Sequence, residues 1–416
     1  MPAGLRLLIA SQFASALADN ALLIVTIALL QAQGQPGWWA PLLKIGFTLA
    51  YVVLAPFVGP LADAIPKARL MAWMNGVKVL GVFSLLSGLH PALAFCIVGI
   101  GAAAYAPAKY GLVTELVGAD KLVAANGWIE VSVVCAALLG VVVGGLLVSP
   151  WMLDSPAVAG LQQWLAGLVG QQAMALHASL LCLLAVYALA GVLNLGVPDS
   201  GARYAPGRIH PLVLMREFWR ANRMLWRDRD GGLSLAVTTI FWGVGATLQF
   251  AVLRWAADVL LLPLDRAAYL QAAVAVGVIV GAGVAGRFVP LAGAKRMLVF
   301  GVALGLLMPV VASTTNVWVA LPLLALVGCV GGLLVVPLNA LLQQRGCALL
   351  SAGRSIAVQG CNENASVLGM LALYAALIAL DVSIVALMWG LGITIAAAVS
   401  LLKHREARRT LSAAAA

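Results

Sequence analysis

Apolar residues along this chain come in long blocks, not in the strict alternation of a half-buried strand. The blocks fall roughly at 5–31, 41–62, 70–88, 91–110, 122–148, 172–196, 233–261, 268–289, 297–313, 317–343, 352–379 and 382–402. A helix rises 1.5 Å per residue, so about 20 apolar residues cross the hydrocarbon of a bilayer. The pattern predicts twelve membrane-crossing helices. Gln35-Pro36-Gly37, His90-Pro91, Ser149-Pro150 and Pro198-Asp199-Ser200-Gly201 punctuate the blocks. Trp38, Trp39, Trp151 and Trp318 sit at predicted outer ends, where an aromatic belt belongs. The start, with Arg6 and Ala14-Ser15-Ala16, has some look of a signal peptide, but its apolar run continues to Leu30. A first span is expected there rather than a cleaved leader.

Composition agrees. Hydrophobic residues make up 63% of the 416 and charged residues 10%, well below the roughly 25% of soluble domains. The net charge is +10, and its placement is more telling than its size. Of 25 Lys and Arg residues, 20 occupy one alternating set of helix ends and loops: Arg6, Lys67, Arg69, Lys121, the Arg203–Arg229 run, Arg287, Lys295, Arg296, Arg345, Arg354 and the Lys403–Arg409 tail. Arg266 is the clear member of the opposite set. By the positive-inside rule both termini are expected in the cytoplasm. With no basic globular domain to carry it, nucleic-acid binding is not expected. The six cysteines lie in or beside apolar spans without a C-x-x-C pair and read as buried thiols.

The longest polar stretch, 197–232, divides the chain into an N-terminal six-helix bundle (1–196) and a C-terminal one with a basic tail (233–416). Within it Arg216, Arg220, Arg223 and Arg227 have spacings of 4, 3 and 4, and so share a helical face. Leu214, Met215, Phe218, Trp219, Leu225 and Trp226 are expected on the other side of the same helix. An amphipathic helix lying on the cytoplasmic leaflet is expected. The halves echo each other. Gly59-Pro60-Leu61-Ala62-Asp63 with Lys67 and Arg69 is followed about 227 residues later by Gly283 to Arg287 with Lys295 and Arg296, and Pro107 is matched by Pro337. Parallel six-span repeats are the architecture of the major facilitator transporters.

Gly281 to Gly286 spells G-x-G-x-x-G, but inside an apolar span, where helix packing is its expected role; Gly140, Gly144 and Gly145 read the same way. The sequon Asn364-Ala365-Ser366 also lies in a span and is set aside. Ionisable residues inside spans are more informative, since a charge at the bilayer centre costs roughly 2.5–3.5 kcal/mol or more. Asp19, Lys78, Lys109, Glu130, Arg254 and Glu363 fit that description, whereas Lys44, Glu115 and Asp258 are near enough to span ends to snorkel. Asp19-Asn20 falls mid-span. Its carboxylate either faces a substrate path or pairs with a Lys or Arg of another helix. Glu363 belongs to Asn362-Glu363-Asn364, three consecutive polar side chains that imply a broken helix or a watered face. Lys109 follows Pro107, a helix interrupter, and suits a gate or a substrate contact equally. Arg254 either meets a phosphate or neutralises Asp258 one turn on. No Ser-His-Asp set, no metal-ligand grouping and no H-x-x-x-x-D pair appears. No catalytic residues, metal or cofactor are therefore expected.

GPLADAIPKAR resembles the loop signature of the major facilitator superfamily, which implies a gating role for Asp63, Lys67 and Arg69, with Glu130 placed beside them. ASALADNALL, YVVLAPFVGPLAD, GAAAYAPAKYG, KLVAANG, FWGVGATL, VVPLNALLQQRG and NENAS together resemble the lysophospholipid transporter family LplT over nearly the whole chain. The resemblance implies an all-α membrane protein of twelve transmembrane helices in two six-helix bundles, the major facilitator fold. It further implies a monomeric flippase of the bacterial inner membrane. Such a protein moves lyso-phosphatidylethanolamine and lyso-phosphatidylglycerol from outer to inner leaflet, where a cytoplasmic acyltransferase re-acylates them. Its site residues would be Asp19, Lys109 and Glu363, with the neighbours Asn20 and Asn364. One departure stands out: the family has an Arg just after FWG-x-G-x-T-L where this chain has Gln249, and the nearest Arg, Arg254, is more than a turn away. A drug–proton antiporter would use the same charges, a membrane acyltransferase would need a motif not present, and a scaffold for a lipid enzyme would flip nothing.

Overall fold

The computed structural model describes residues 3–36, 39–156, 158–161, 176–204, 210–262 and 264–414. Trp38, Gly37, Arg208 and the first residues of the predicted 172–196 span lie outside the described residues, as do the side chains of Arg266 and Arg409. Among the described residues the regular structure is entirely helical: α1 (Ala3–Ala32), α2 (Trp39–Val53), α3 (Ala55–Ala64), α4 (Lys67–Leu86), α5 (Pro91–Leu116), α6 (Leu122–Leu147), α7 (Leu176–Leu195), α8 (Pro211–Arg227), α9 (Arg229–Asp258), α10 (Leu264–Phe288), α11 (Leu298–Ala312), α12 (Val317–Leu349), α13 (Ala352–Ala379) and α14 (Ile384–Ala414). Among these, eleven helices, or twelve spans if α2 and α3 count as one, are long and apolar enough to cross a membrane. α2 and α3 bend by 62° at Leu54. Pro56 enters α3 in its first turn, where its missing N–H would have no intrahelical partner anyway.

One expectation is overturned and two are narrowed. Pro107 does not interrupt its helix, for α5 runs through it, as α12 runs through Pro322 and Pro337. Neighbouring helices and local adjustments re-satisfy the freed carbonyls of a transmembrane helix. α13 is likewise unbroken across Asn362-Glu363-Asn364. The seventh span begins earlier than its apolar run suggests, because Asp228 caps α9 by accepting from the Gly231 N–H at 2.8 Å.

By packing, the chain groups into two units. The first holds 1–116, 135–218 and 351–360; the second holds 117–134, 219–350 and 361–416. The start of α6 therefore packs with second-half helices, and the start of α13 with first-half helices. Glycine makes both exchanges possible. A Cβ on Gly59 (α3) would lie 3.0 Å from the Arg354 Cα of α13, and one on Gly127 (α6) would lie 3.1 Å from the Gly286 Cα of α10. Gly59 and Gly286 are 227 positions apart, so the repeat legible in the sequence recurs as a repeated contact. Elsewhere, Gly281 faces the Cys329 carbonyl of α12 too closely for any Cβ, which confirms packing as its role. Gly140 and Gly144 face α1 in the same way, for a Cβ on them would lie 2.6 and 2.8 Å from the Leu17 and Ala21 carbonyl oxygens, whereas Gly145 faces open space.

Candidate functional site

The first unit builds a polar cluster from four of its spans. On α1, Ser15 and Asp19 are one turn apart; on α4, Asn75 and Lys78 are three apart. Each pair thus shares a face. The Lys78 ammonium donates to Asp19 Oδ2 at 2.7 Å, to Asp19 Oδ1 at 2.9 Å and to Ser15 Oγ at 2.9 Å. Ser15 donates to Asn75 Oδ1 at 2.8 Å, and the Tyr187 hydroxyl of α7 donates to Asp19 Oδ1 at 2.7 Å. The ammonium also faces the rings of Tyr105 (α5) and Tyr187 at 5.3 and 5.6 Å. Lys78 keeps 2% of its side-chain surface accessible and Asp19 18%. Two charges can persist inside a span in this way, since each is neutralised and hydrogen-bonded. Asp19 is therefore not a lone carboxylate. It forms the ion pair with another helix that the sequence left open, and it remains reachable from one side.

Asn20 beside it donates to its own helix, at the Ala16 carbonyl, 2.8 Å away. Gly140 of α6 sits against the Leu17–Asn20 stretch, which lets α6 close on α1 there. Lys109 lies elsewhere. Its ammonium is buried, 3.4 Å from Gln12 Oε1 and 4.2 Å from the Tyr110 ring centroid. Gln12 is seven residues before Asp19, about 10 Å along the helix axis.

Of the second-half candidates, Glu363 and Asn364 are half-buried on α13. Their neighbour Asn362 is used by the linker helix. It accepts from Trp226 Nε1 at 3.1 Å and donates to Asn222 Oδ1 at 2.9 Å. The polar triplet thus needs no broken helix, because its first member is bonded to α8. Gln249 is exposed, and its backbone carbonyl accepts from Gln271 at 2.6 Å. Arg254 pairs with Asp258 on its own helix at 3.2 Å, with side chains 45% and 50% accessible. Of its two open roles, the structure shows the local one.

Asp63 accepts from the Gly353 N–H at 2.9 Å and from the Ser351 hydroxyl, both at the start of α13. An anion at a helix N-terminus meets orphan N–H groups and the positive end of the dipole. Lys67 Nζ lies 2.6 Å from Glu115 and 4.0 Å from Asp63, with the Tyr204 ring centroid 4.7 Å away. Glu115 also accepts from Ser200 at 2.6 Å and from Tyr204 at 2.9 Å. Glu115 therefore does not snorkel: a buried lysine is closer than bulk water. Arg69 is exposed, and Glu130 is buried in the part of α6 that belongs to the second unit. In that unit Asn126 and Gln343 exchange amide hydrogen bonds of 2.8 and 2.9 Å, and Asn339 donates to Asn126 at 3.1 Å. Two of the stretches singled out by resemblance, KLVAANG and VVPLNALLQQRG, meet through these side chains.

Sequence reading flagged Lys78 as an intramembrane charge but did not place it in the site. The spacing of Asn75 and Lys78 was the available signal. Tyr187 carried none, being one tyrosine in an apolar helix.

The Major Facilitator Superfamily profile matches residues 8–346. The chain is 41% identical over 378 residues, 90% of its length, to proteins named lysophospholipid transporter LplT from Yersinia pestis (strain Pestoides F) and Yersinia pseudotuberculosis serotype O:3 (strain YPIII), covering 87% of each. Among solved structures it is similar to the E. coli fucose:proton symporter FucP (TM-score 0.73, 15% identity, 96% of this chain and 97% of that one). It is also similar to a bacterial homologue of the iron transporter ferroportin (TM-score 0.70, 16% identity, 97% and 99%). Those likenesses show the fold. With eleven or twelve candidate spans among the described residues, the superfamily match over most of the chain and relatives at this identity, the chain belongs to the major facilitator superfamily and, within it, to the lysophospholipid transporter LplT family.

Proposed function

We propose that this chain is a lysophospholipid transporter of the bacterial inner membrane. In this reading it moves lyso-phosphatidylethanolamine and lyso-phosphatidylglycerol from the outer to the inner leaflet by alternating access. Both termini face the cytoplasm, the chain acts as a monomer, and a cytoplasmic acyltransferase consumes the product. The named relatives support the substrate class. The observation that carries the chemistry is the Asp19–Lys78 pair, buried among apolar helices yet open on the Asp19 side.

A zwitterionic head matches such a pair member by member. Its ammonium takes Asp19 and its phosphate takes Lys78, so neither protein charge is left bare during the exchange. For a glycerol head, Asp19 accepts from hydroxyls instead. Tyr187 holds the carboxylate in place throughout. Lys109 with Gln12 gives a second phosphate station two turns along α1. Asn20, Glu363, Asn364 and Gln249 are further polar contacts for the headgroup in this reading. Arg254 is better suited to holding Asp258. Asp63, Lys67 and Arg69 serve as the gate, since release of α13 requires Asp63 to give up the Ser351 and Gly353 bonds, and Glu130 has its own gating role in the second unit.

The test is leaflet-resolved movement of labelled lysolipid in proteoliposomes. Asp19→Asn and Lys78→Gln should each slow it about tenfold or more, given what a lost charged hydrogen bond costs. If both variants keep wild-type rates at normal expression, the headgroup assignment fails. Drug efflux driven by a pH gradient with no lysolipid movement would overturn the transport reading itself.

A further inference from the structure

The linker helix α8 has three faces. Phe218, Ala221 and Leu225, at spacings of 3 and 4, are buried against the protein. On the opposite side Arg216, Arg220, Arg223 and Arg227 are all exposed, and none has an ion-pair partner among the described residues. Along one flank between these faces run Leu212, Met215, Trp219 and Trp226, 70%, 43%, 59% and 41% accessible. The apolar and aromatic side chains expected to lie on the leaflet are thus divided. Phe218 and Leu225 are spent on protein packing, and the flank is what remains. An aromatic and apolar stripe beside a row of guanidinium groups fits a headgroup region, where indole rings sit at the boundary and Arg pairs with phosphate. Only Asp228 separates α8 from the membrane-crossing α9, so the C-terminal end of α8 is tied close to the membrane surface.

The same helix grips α13. Asn222 and Trp226, one turn apart, hold both ends of the Asn362 amide. Glu217 lies 3.3 Å from Arg354, two turns nearer the start of α13.

We propose that α8 reads the leaflet: its arginine row binds anionic phospholipid headgroups, its Leu212–Trp226 flank enters the interface, and the Asn222–Asn362–Trp226 link passes that contact to α13 beside Glu363. Rotation or lifting of α8 breaks both Asn362 bonds together, because their partners stand on one face of one turn. Lipid occupancy therefore sets how firmly α13 is held at its polar triplet. The inference goes beyond the transport reading and does not depend on it.

Its test uses no lysolipid. Nitroxide labels at Met215→Cys and Trp219→Cys, with a control at Met224→Cys on the other flank, are placed in full-length protein whose native cysteines are replaced. Vesicles contain phosphatidylcholine alone or mixed with phosphatidylglycerol. The expected result is transfer of the labels at 215 and 219, but not at 224, from water-accessible to lipid-accessible on adding phosphatidylglycerol. High salt or the combined R216Q, R220Q, R223Q and R227Q changes should weaken that transfer about tenfold or more. Hydrogen exchange of residues 358–368 should slow several-fold with phosphatidylglycerol in the parent protein and lose that response in Asn362→Ala. Labels that stay in water in both vesicles overturn the proposal and leave the face to an acidic soluble partner. Insertion without any response in α13 overturns the link.

Discussion

Two aspartate–cation pairs of this chain, Asp19–Lys78 and Asp258–Arg254, differ in almost everything but their chemistry. Asp19 and Lys78 come from different helices, 59 residues apart, and Lys78 is 2% accessible. Arg254 and Asp258 stand one turn apart on one helix, about half accessible. The first pair exists only because α1, α4 and α7 pack together, and it holds two charges among apolar helices with only Asp19 partly accessible. The second needs nothing beyond its own helix and stays solvated, so it contributes little. A charged pair is therefore informative about function when folding, rather than local spacing, has brought it together.

Six substitutions would break or sharpen that contrast. Lys78→Met leaves the Asp19 carboxylate uncompensated and should cost about 3–5 kcal/mol, read as a fall in Tm in detergent. The double variant Asp19→Asn/Lys78→Met should regain most of that stability without regaining lysolipid transport. A single variant as stable as the parent would show that Asp19 does not need its partner. Next, Asp63→Ala removes the acceptor for the Gly353 N–H and the Ser351 hydroxyl. A loss of about 1–3 kcal/mol is expected, whereas Arg69→Ala, at an exposed position, should stay within about 0.5 kcal/mol.

The Asp228–Arg345 pair is intermediate: it crosses helices at 2.6 Å but is partly solvated. The Arg345 guanidinium holds the Asp228 carboxyl below the usual carboxylate range. A carboxyl depressed by folding stabilises the protein above its unfolded value, about pH 4, and loses that contribution as pH falls through the lower folded value. Asp228→Asn keeps a capping side chain for α9 but not the charge. It should cost about 1 kcal/mol at neutral pH, with the gap in Tm closing on acidification below about pH 4. The smallest effect is expected of Arg254→Ala, at most about 0.5 kcal/mol. A loss comparable to that of Lys78→Met would erase the distinction between the two pairs.

Much of the fold was legible because a bilayer imposes a coarse code. Block length gave the spans, and the echo of about 227 residues gave the repeat, though not the contacts that Gly59 and Gly286 make. The bend at Leu54 and the continuity of α5 and α13 were not legible, since they depend on whether neighbours re-satisfy backbone groups. At the site, Asp19 stood out as a charge in an apolar run. Its partner did not, because Lys78, Lys109 and Arg254 looked alike along the chain, and Tyr187 looked like packing. The linker helix shows the same limit. Its arginine spacing was plain, but which apolar residues face the protein was not.

The sequence by itself determined where the spans fall along the chain, the basic bias of one set of ends, the repeat and the positions of the intramembrane charges. Each of these is a property of neighbours along the chain, set by rise per residue and by transfer cost. Only the tertiary structure decided which charge meets which, which glycine faces which carbonyl, and which face of α8 is spent on packing. Those depend on how helices pack and rotate against one another, which is set by contacts between residues far apart in sequence.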